Sequence, residues 1–439
     1  MTETIFRGGT ILTIDPSHRV LAGDVAIVDG VIAQVGGTYT PQSHDYTIID
    51  CSGCVVMPGF VQAHVHTCQT LARGRGDDLE LLDWLRQVVW PYEGKLDADA
   101  ASACGELACS ELLLGGTTAI LDMATVHHTE QFFAAAERSG IRATIGKAMM
   151  DAPDPQIPAS LRETTQASLD EAAQLIRRWH GSAEGRLRYA YAPRFALSCT
   201  DELLREVGVQ AKQRDVGIHT HASENVGEVA LVQARFGKPN INVLDDFGLL
   251  GPSTCIAHAI HLSPDERALL AARGAHVCTC PSSNLKLASG IAQVPELIAA
   301  GVSLALGADG APCNNNLDAF VELRLLALLH KPRSGPRTLP APEVVKIATL
   351  GGAAALGLAD QIGSLEVGKR GDVIAVDITA LHTVPAASPW SQIAYAAQSC
   401  DVRHVAVDGC VVVRDRALLT LDVEKVRRAA TESATHLFR

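Results

Sequence analysis

Nowhere does the chain offer the roughly 20 consecutive apolar residues needed to cross a bilayer. Its opening, Met1-Thr2-Glu3-Thr4-Ile5-Phe6-Arg7, has neither the basic region nor the apolar core of a secretory leader, so a cytoplasmic protein with no membrane partner is expected. Positive charge is scarce too. Against 49 Asp and Glu stand 37 Lys and Arg, and the formal net charge of -12 argues against nucleic acid as a partner and against a polyanionic substrate. Twelve Cys are spread thinly over 439 residues, which excludes a compact disulfide framework and makes reduced thiols the default. Cys51 and Cys54 have zinc-knuckle spacing, but no second such pair follows, and they are read as a turn between strands. Cys278 and Cys280 read as small buried strand residues. Internal repeats and low-complexity tracts are also lacking.

What the chain does have is a core: 47% of its residues are hydrophobic and 20% charged, the balance of a globular protein. The first 57 residues read as short strands, Thr10 to Ile14, Asp24 to Val28, Val31 to Val35 and Thr47 to Asp50, with Asp29-Gly30 as a hairpin signal. From Val55 the pattern becomes strand followed by helix. Eight strands are expected, at Val55 to His66, Thr117 to Met123, Arg142 to Met149, Leu187 to Pro193, Val216 to His221, Thr254 to His258, Ala275 to Cys280 and Val302 to Asp309. Amphipathic stretches such as 98–114, 165–179 and 317–329 lie between them, and residues 151–164 read as a loop. Such alternation predicts an α/β fold, a parallel (β/α)8 barrel, with an open doubly wound sheet as the alternative. Strands return at Asp372 to Val376 and Val402 to Val413, so both termini are expected to share a small β-sandwich module. The expected partition is 1–57 and 362–439 for that module and 58–361 for the catalytic barrel.

In such a barrel the active site lies where strands end and βα loops begin. The first strand ends in His64-Val65-His66, and residues i and i+2 of a strand share a face, so two imidazoles can reach one metal ion. The fifth ends in His219-Thr220-His221 followed by Glu224, the sixth in His258 and the eighth in Asp309. Three imidazoles and a carboxylate on one rim suit a divalent transition metal that keeps a position open for water. Water activated there can attack an electron-poor carbon. Asp309 could take its proton, His258 could act as a second base or orienter, and Glu224 could protonate a ring nitrogen. The chemistry expected is hydrolysis at an amidine-like carbon.

These segments resemble the amidohydrolase superfamily, and within it the aminohydrolase branch of deaminases of adenosine derivatives, guanine and triazines. The matching stretches are Pro58-Gly59-Phe60 with His64-Val65-His66, His221-Ala222-Ser223-Glu224, His258, Cys280-Pro281-Ser282-Ser283-Asn284, Gly307-Ala308-Asp309-Gly310, and Ile362 through Asp372. The resemblance implies one divalent metal, zinc with iron or manganese as alternatives, held by His64, His66, His221 and Asp309. It implies Glu224 and His258 as the proton-handling pair, and a place behind the ligands for His219. Strand four ends without the Lys of two-metal members. A homo-oligomer is expected from the same likeness.

For the substrate, Leu82-Asp83-Trp84-Leu85 and Trp90-Pro91-Tyr92-Glu93 look like the long first loop of deaminases of S-adenosylhomocysteine, methylthioadenosine and 5'-deoxyadenosine. Gln69 and Arg194-Phe195 instead resemble guanine deaminase, where an Arg and a Gln read the base edge. Trp84 and Phe195 could sandwich a planar ring. The expected substrate is therefore a small aminated purine-like heterocycle, an adenosine-type nucleoside first. Guanine, 8-oxoguanine or a pterin, a triazine losing chloride or an amine, and a non-catalytic barrel scaffold are the alternatives.

Overall fold

The structure, a computed structural model, describes residues 2–385 and 387–439. Eight strands form the closed parallel barrel: Phe60–His66, Thr117–Met123, Arg142–Gly146, Leu187–Pro193, Gly217–Ala222, Thr254–His258, His276–Thr279 and Ser303–Leu306. Closure comes where Leu306 of the eighth strand stands opposite Gln62 of the first. Helices separate them in sequence, and their starts are set by local chemistry. Asp97, Thr164 and Thr200 accept from the exposed first-turn amides of the helices Ala98–Leu114, Thr165–Trp179 and Asp201–Arg214. Ser263 and Glu266 form a reciprocal capping box on Pro264–Arg273.

Both termini build the second sheet, which has nine strands. Its centre is Glu3–Leu12, flanked by Val20–Val28 on one side and Cys54–Pro58 on the other, and Val373–Asp377 pairs antiparallel with Cys54–Pro58. Both Asp-Gly hairpin corners, Asp29-Gly30 and Asp408-Gly409, have positive φ at both residues, as the tight turn requires.

Two expectations need correcting. The stretch Val55 to His66 is not one strand: Cys54–Pro58 belongs to the terminal sheet and Phe60–His66 to the barrel. The chain crosses between sheets at Gly59, where a Cβ would lie 2.1 Å from Thr118 Oγ1, so only glycine permits that approach. Nor is the C-terminal segment all β. It ends in the helix Val423–Leu437, which packs against Ala98–Leu114 of the barrel. Val426, Ala430 and Leu437 of that helix are buried, and with Val423 and Ala434 they recur at three- and four-residue spacing, a helical signal present in the sequence beyond the last expected strand. Ala341–Lys346 and Gly352–Ala355 are helical with a wider turn at Ile347–Gly351 between them, and residues 151–164 form a loop apart from a short turn at Ala159–Leu161. All twelve cysteines are free and ten are buried, Cys51, Cys54, Cys278 and Cys280 among them.

One buried ion cluster joins the two sheets. Arg142, at the start of the third barrel strand and 2% exposed, reaches Asp372 through Nε and Nη2 at 3.0 Å each and Asp408 at 2.5 Å. Removing one partner strands the other charges in a medium of low dielectric. Arg142→Ala should therefore cost about 3–5 kcal/mol of stability, measured by denaturant unfolding, whereas an exposed pair such as Lys238 with Asp246 should cost about 1 kcal/mol or less.

Candidate metal centre and active site

His64 and His66 are buried at the end of the first barrel strand. The short strand Asp309–Gly310 pairs alongside, with Asp309 opposite Val65, which sets the Asp309 carboxylate against both rings. Asp309 Oδ1 lies 3.3 Å from His64 Nε2 and 3.4 Å from His66 Nε2. The fifth strand brings His221, whose Nε2 is 3.1 Å from His66 Nε2.

The far nitrogen of each ring explains why these faces meet. Nδ1 of His66 lies 2.7 Å from the Met123 carbonyl and Nδ1 of His221 lies 2.7 Å from the Arg194 carbonyl. A carbonyl only accepts, so both Nδ1 atoms carry the proton and both Nε2 atoms are bare lone pairs. Two lone pairs at 3.1 Å repel unless a cation lies between them. His64 Nε2, also buried, has no well-directed hydrogen bond among the described residues, only the Asp309 carboxylate 3.3 Å away, while its Nδ1 lies 2.7 Å from His219 Nε2. His219 thus stands directly behind His64. This donor set fits a divalent metal ion. Donor atoms converge closely in two groups of three, His64, His66 and Asp309, and His64, His221 and His258.

Electrostatics separate the members of the cluster. Burial pushes the His66 imidazole down to about 3, and burial likewise lowers His64, His219 and His221, which keeps these rings neutral as ligation requires. Burial alone would raise the Asp309 carboxyl, yet the neighbouring imidazoles of His64, His258 and His66 hold it well below the usual carboxylate range. Ser283 Oγ donates to its other oxygen at 2.5 Å. His258 behaves differently from the other rings. Burial would lower it, but Glu224 and Asp309 at 3.5 and 3.8 Å, with Asn284 on its Nδ1 at 2.8 Å, raise it instead. Glu224 is pushed up to about 7, first by burial and then by the charges of Asp309 and Glu228 against the opposing pull of His258.

These groups open onto a cavity with about 430 Å³ of space, part of it open to solvent. Its far wall is apolar: Leu81, Trp84 and Leu85 come from the helical segment after the first strand, and Phe195 follows the fourth. Of the residues expected to touch substrate, Trp84, Arg194, Phe195 and Glu224 line this cavity. Gln69 does not. It is fully buried behind the wall, and its amide nitrogen donates to Glu93 Oε1 at 3.0 Å. Next to it a Cβ on Gly310 would lie 2.0 Å from Gln69 Oε1, so a larger residue there would have to displace the Gln69 amide.

Glu93 is a residue that motif reading quoted without giving it a role. It receives Arg194 through both terminal nitrogens, at 2.6 and 3.2 Å, so the guanidinium on the cavity wall arrives already paired. The two lie 101 positions apart, and no spacing rule links them. Glu228 was missed altogether. It is buried, lines the cavity and accepts the Glu224 amide at 2.8 Å. Its sequence signal was available: Asn225 and Glu228 have the N-cap and third-residue spacing of a capping box.

A family model described as the amidohydrolase family matches residues 55–412. The chain is 38% identical over 439 residues to a 5'-deoxyadenosine deaminase of Methanosarcina acetivorans, covering 100% of this chain and 99% of that protein. It is 41% identical over 431 residues to a 5-methylthioadenosine/S-adenosylhomocysteine deaminase of Syntrophobacter fumaroxidans, covering 97% and 96%. The crystal structure of an adenosine deaminase from Xanthomonas campestris with bound zinc superposes with a TM-score of 0.92 at 32% identity, over 100% of this chain and 99% of that one. With the barrel, the converging imidazoles and a match over most of its length, the chain belongs to the amidohydrolase family.

Proposed function

We propose that the protein is a metal-dependent hydrolytic deaminase of a small aminated purine, with an adenosine-type nucleoside such as 5'-deoxyadenosine as its substrate. The observation that carries this reading is the meeting of bare imidazole nitrogens from His64, His66 and His221 with Asp309, beside a protonatable Glu224 and His258, on the floor of an aromatic-walled cavity. The full-length likeness to proteins named for 5'-deoxyadenosine and methylthioadenosine supports the nucleoside. Bound by His64, His66, His221 and Asp309, a divalent ion would supply the Lewis acidity that makes water nucleophilic near neutral pH, and zinc is proposed, with iron or manganese acceptable to the same donors.

The chain's own residues handle the protons. Glu224, neutral through burial, gives its proton to the ring nitrogen as water adds to the amino-bearing carbon. Asp309 takes the proton of that water, and His258, held by Asn284 and facing both carboxyls, keeps them oriented. The proton held by Asp309 then passes to the amino group, the carbon–nitrogen bond breaks, and ammonia leaves as the added hydroxyl returns its remaining proton to Glu224 and becomes the ring carbonyl. Trp84 and Phe195 present flat apolar faces to the heterocycle. Because Glu93 neutralises Arg194, the wall there carries no net charge, which suits a neutral ring better than an anion.

Purified protein should release ammonia from 5'-deoxyadenosine and adenosine, and no chloride from a chlorotriazine. Glu224→Gln should lower kcat by about 10²–10⁴ with metal content unchanged, and chelation should abolish turnover until zinc is returned. Ammonia from none of the nucleosides would overturn the reading.

Because Glu224 must be protonated to donate and its pKa is pushed up to about 7, kcat should fall as pH rises through that value. A rate that is flat from pH 6 to about 9 would exclude Glu224 as the proton donor.

A further inference from the structure

Glu224 sits on a three-residue bridge between the fifth strand, Gly217–Ala222, and the helix Val226–Phe236. Ser223 on that bridge has φ +55, a conformation that few residues with a side chain adopt. Left to itself so short and strained a link would not hold a carboxyl in one place. It is tied on both sides. The Ser223 carbonyl accepts from the amides of Ile260 and His261 at 2.9 and 3.0 Å, and these residues follow His258. On the other side Glu228, in the first turn of the helix, accepts the Glu224 amide at 2.8 Å through Oε2.

Glu228 is 1% exposed, and a buried carboxylate is retained only with its oxygens satisfied. Its second oxygen receives the side-chain amide of Asn240, which opens the next helix, Asn240–Asp246, and is buried as well. A carboxylate clamped from behind therefore holds the backbone of the catalytic carboxyl in front.

We propose that Glu228 is the positioning residue of the proton-handling pair, fixing through the Glu224 amide the place from which the Glu224 carboxyl faces His258 and the cavity. The inference rests on the acid role assigned to Glu224 above. Displacement of a reacting group by about 1 Å can cost 10²-fold in rate, so the clamp has a measurable consequence. Glutamine at 228 keeps an oxygen for the Glu224 amide and removes the charge, whereas alanine removes the acceptor, so the two variants separate placement from charge.

The test combines kinetics with hydrogen–deuterium exchange on the metal-loaded, full-length protein. For Glu228→Ala we expect kcat to fall about 10²-fold with KM and metal content little changed, and faster exchange in the peptide spanning 222–226 alone. Glu228→Gln should keep wild-type exchange and lose far less of kcat than Glu228→Ala. Should Glu228→Ala fail to fold, Asn240→Ala loosens the same clamp from behind and should shift exchange and kcat in the same direction by less. Unchanged exchange in the 222–226 peptide, or equal losses in the alanine and glutamine variants, would overturn the proposal. If the wild-type protein deaminates no aminopurine, the acid role of Glu224 falls, and the exchange measurement still decides whether Glu228 holds that segment.

Discussion

Each imidazole of the centre is fixed by what its Nδ1 touches, and the rest of the site follows from that. Met123 ends the second barrel strand and Arg194 follows the fourth, each beside the strand whose ring it orients, His66 on the first and His221 on the fifth, while His219 on the fifth strand reaches His64 from across the barrel. The hydrogen-bonded register of the barrel therefore sets ring orientation. A shift of one residue in any of these strands would turn the histidine, or the group behind it, to the other face. Bringing neutral nitrogens and a carboxylate together in a buried space has no benefit for the apo chain. The lone pairs of His66 and His221 repel, and the binding of a cation turns that repulsion into attraction, so metal affinity and fold stability are linked here.

Around that centre the charges are arranged in pairs. Asp309 faces three imidazoles, Glu224 faces His258, and Arg194 faces Glu93. The arrangement leaves Glu224 as the acidic group raised to about 7 beside a ring, His258, that is itself raised. Both shifts favour the protonated form of their group, so a proton is held between the Glu224 carboxyl and the His258 ring. Glu93 does a quieter job: by pairing Arg194 it lets a guanidinium sit in an apolar wall without demanding an anionic substrate.

Much of this was legible in the chain. The alternation of apolar strands with helices gave the barrel, and His64-Val65-His66, His221, His258 and Asp309 stood at strand ends because the barrel rim is where such residues must fall. What could not be read depended on partners distant in sequence or on very local sterics. Nothing in Pro58-Gly59 says that the strand changes sheets there, since the reason is Thr118 packed against Gly59. Gln69 stood in the right motif yet faces Glu93, because the turn Thr67–Ala72 that carries it curls away from the cavity into the core. The helix Val423–Leu437 is a different case, since Val423, Val426, Ala430, Ala434 and Leu437 mark one helical face that the sequence itself displays.

The rim of the barrel also bears most of the backbone strain near the site. Ser223, His258, Ala259 and Asp309 all have positive φ, at a cost of about 1–3 kcal/mol each for residues other than glycine. Ser223 and Ala259 are the first residues after their strands, His258 is the last of its own, and Asp309 opens the two-residue strand that follows the eighth. Extended backbone would continue each strand outward and point these side chains alternately into the barrel and away from it. A left-handed residue bends the chain instead, so that Glu224, His258 and Asp309, from three separate strands, turn toward one another. Hydrogen bonds between the bends hold them: the Ala222 carbonyl accepts from Ala259 at 3.1 Å and the Ser223 carbonyl from Ile260 at 2.9 Å. Stability given up at the rim thus appears as fixed distances between Glu224, His258 and Asp309, and the closed barrel beneath is what can bear the cost.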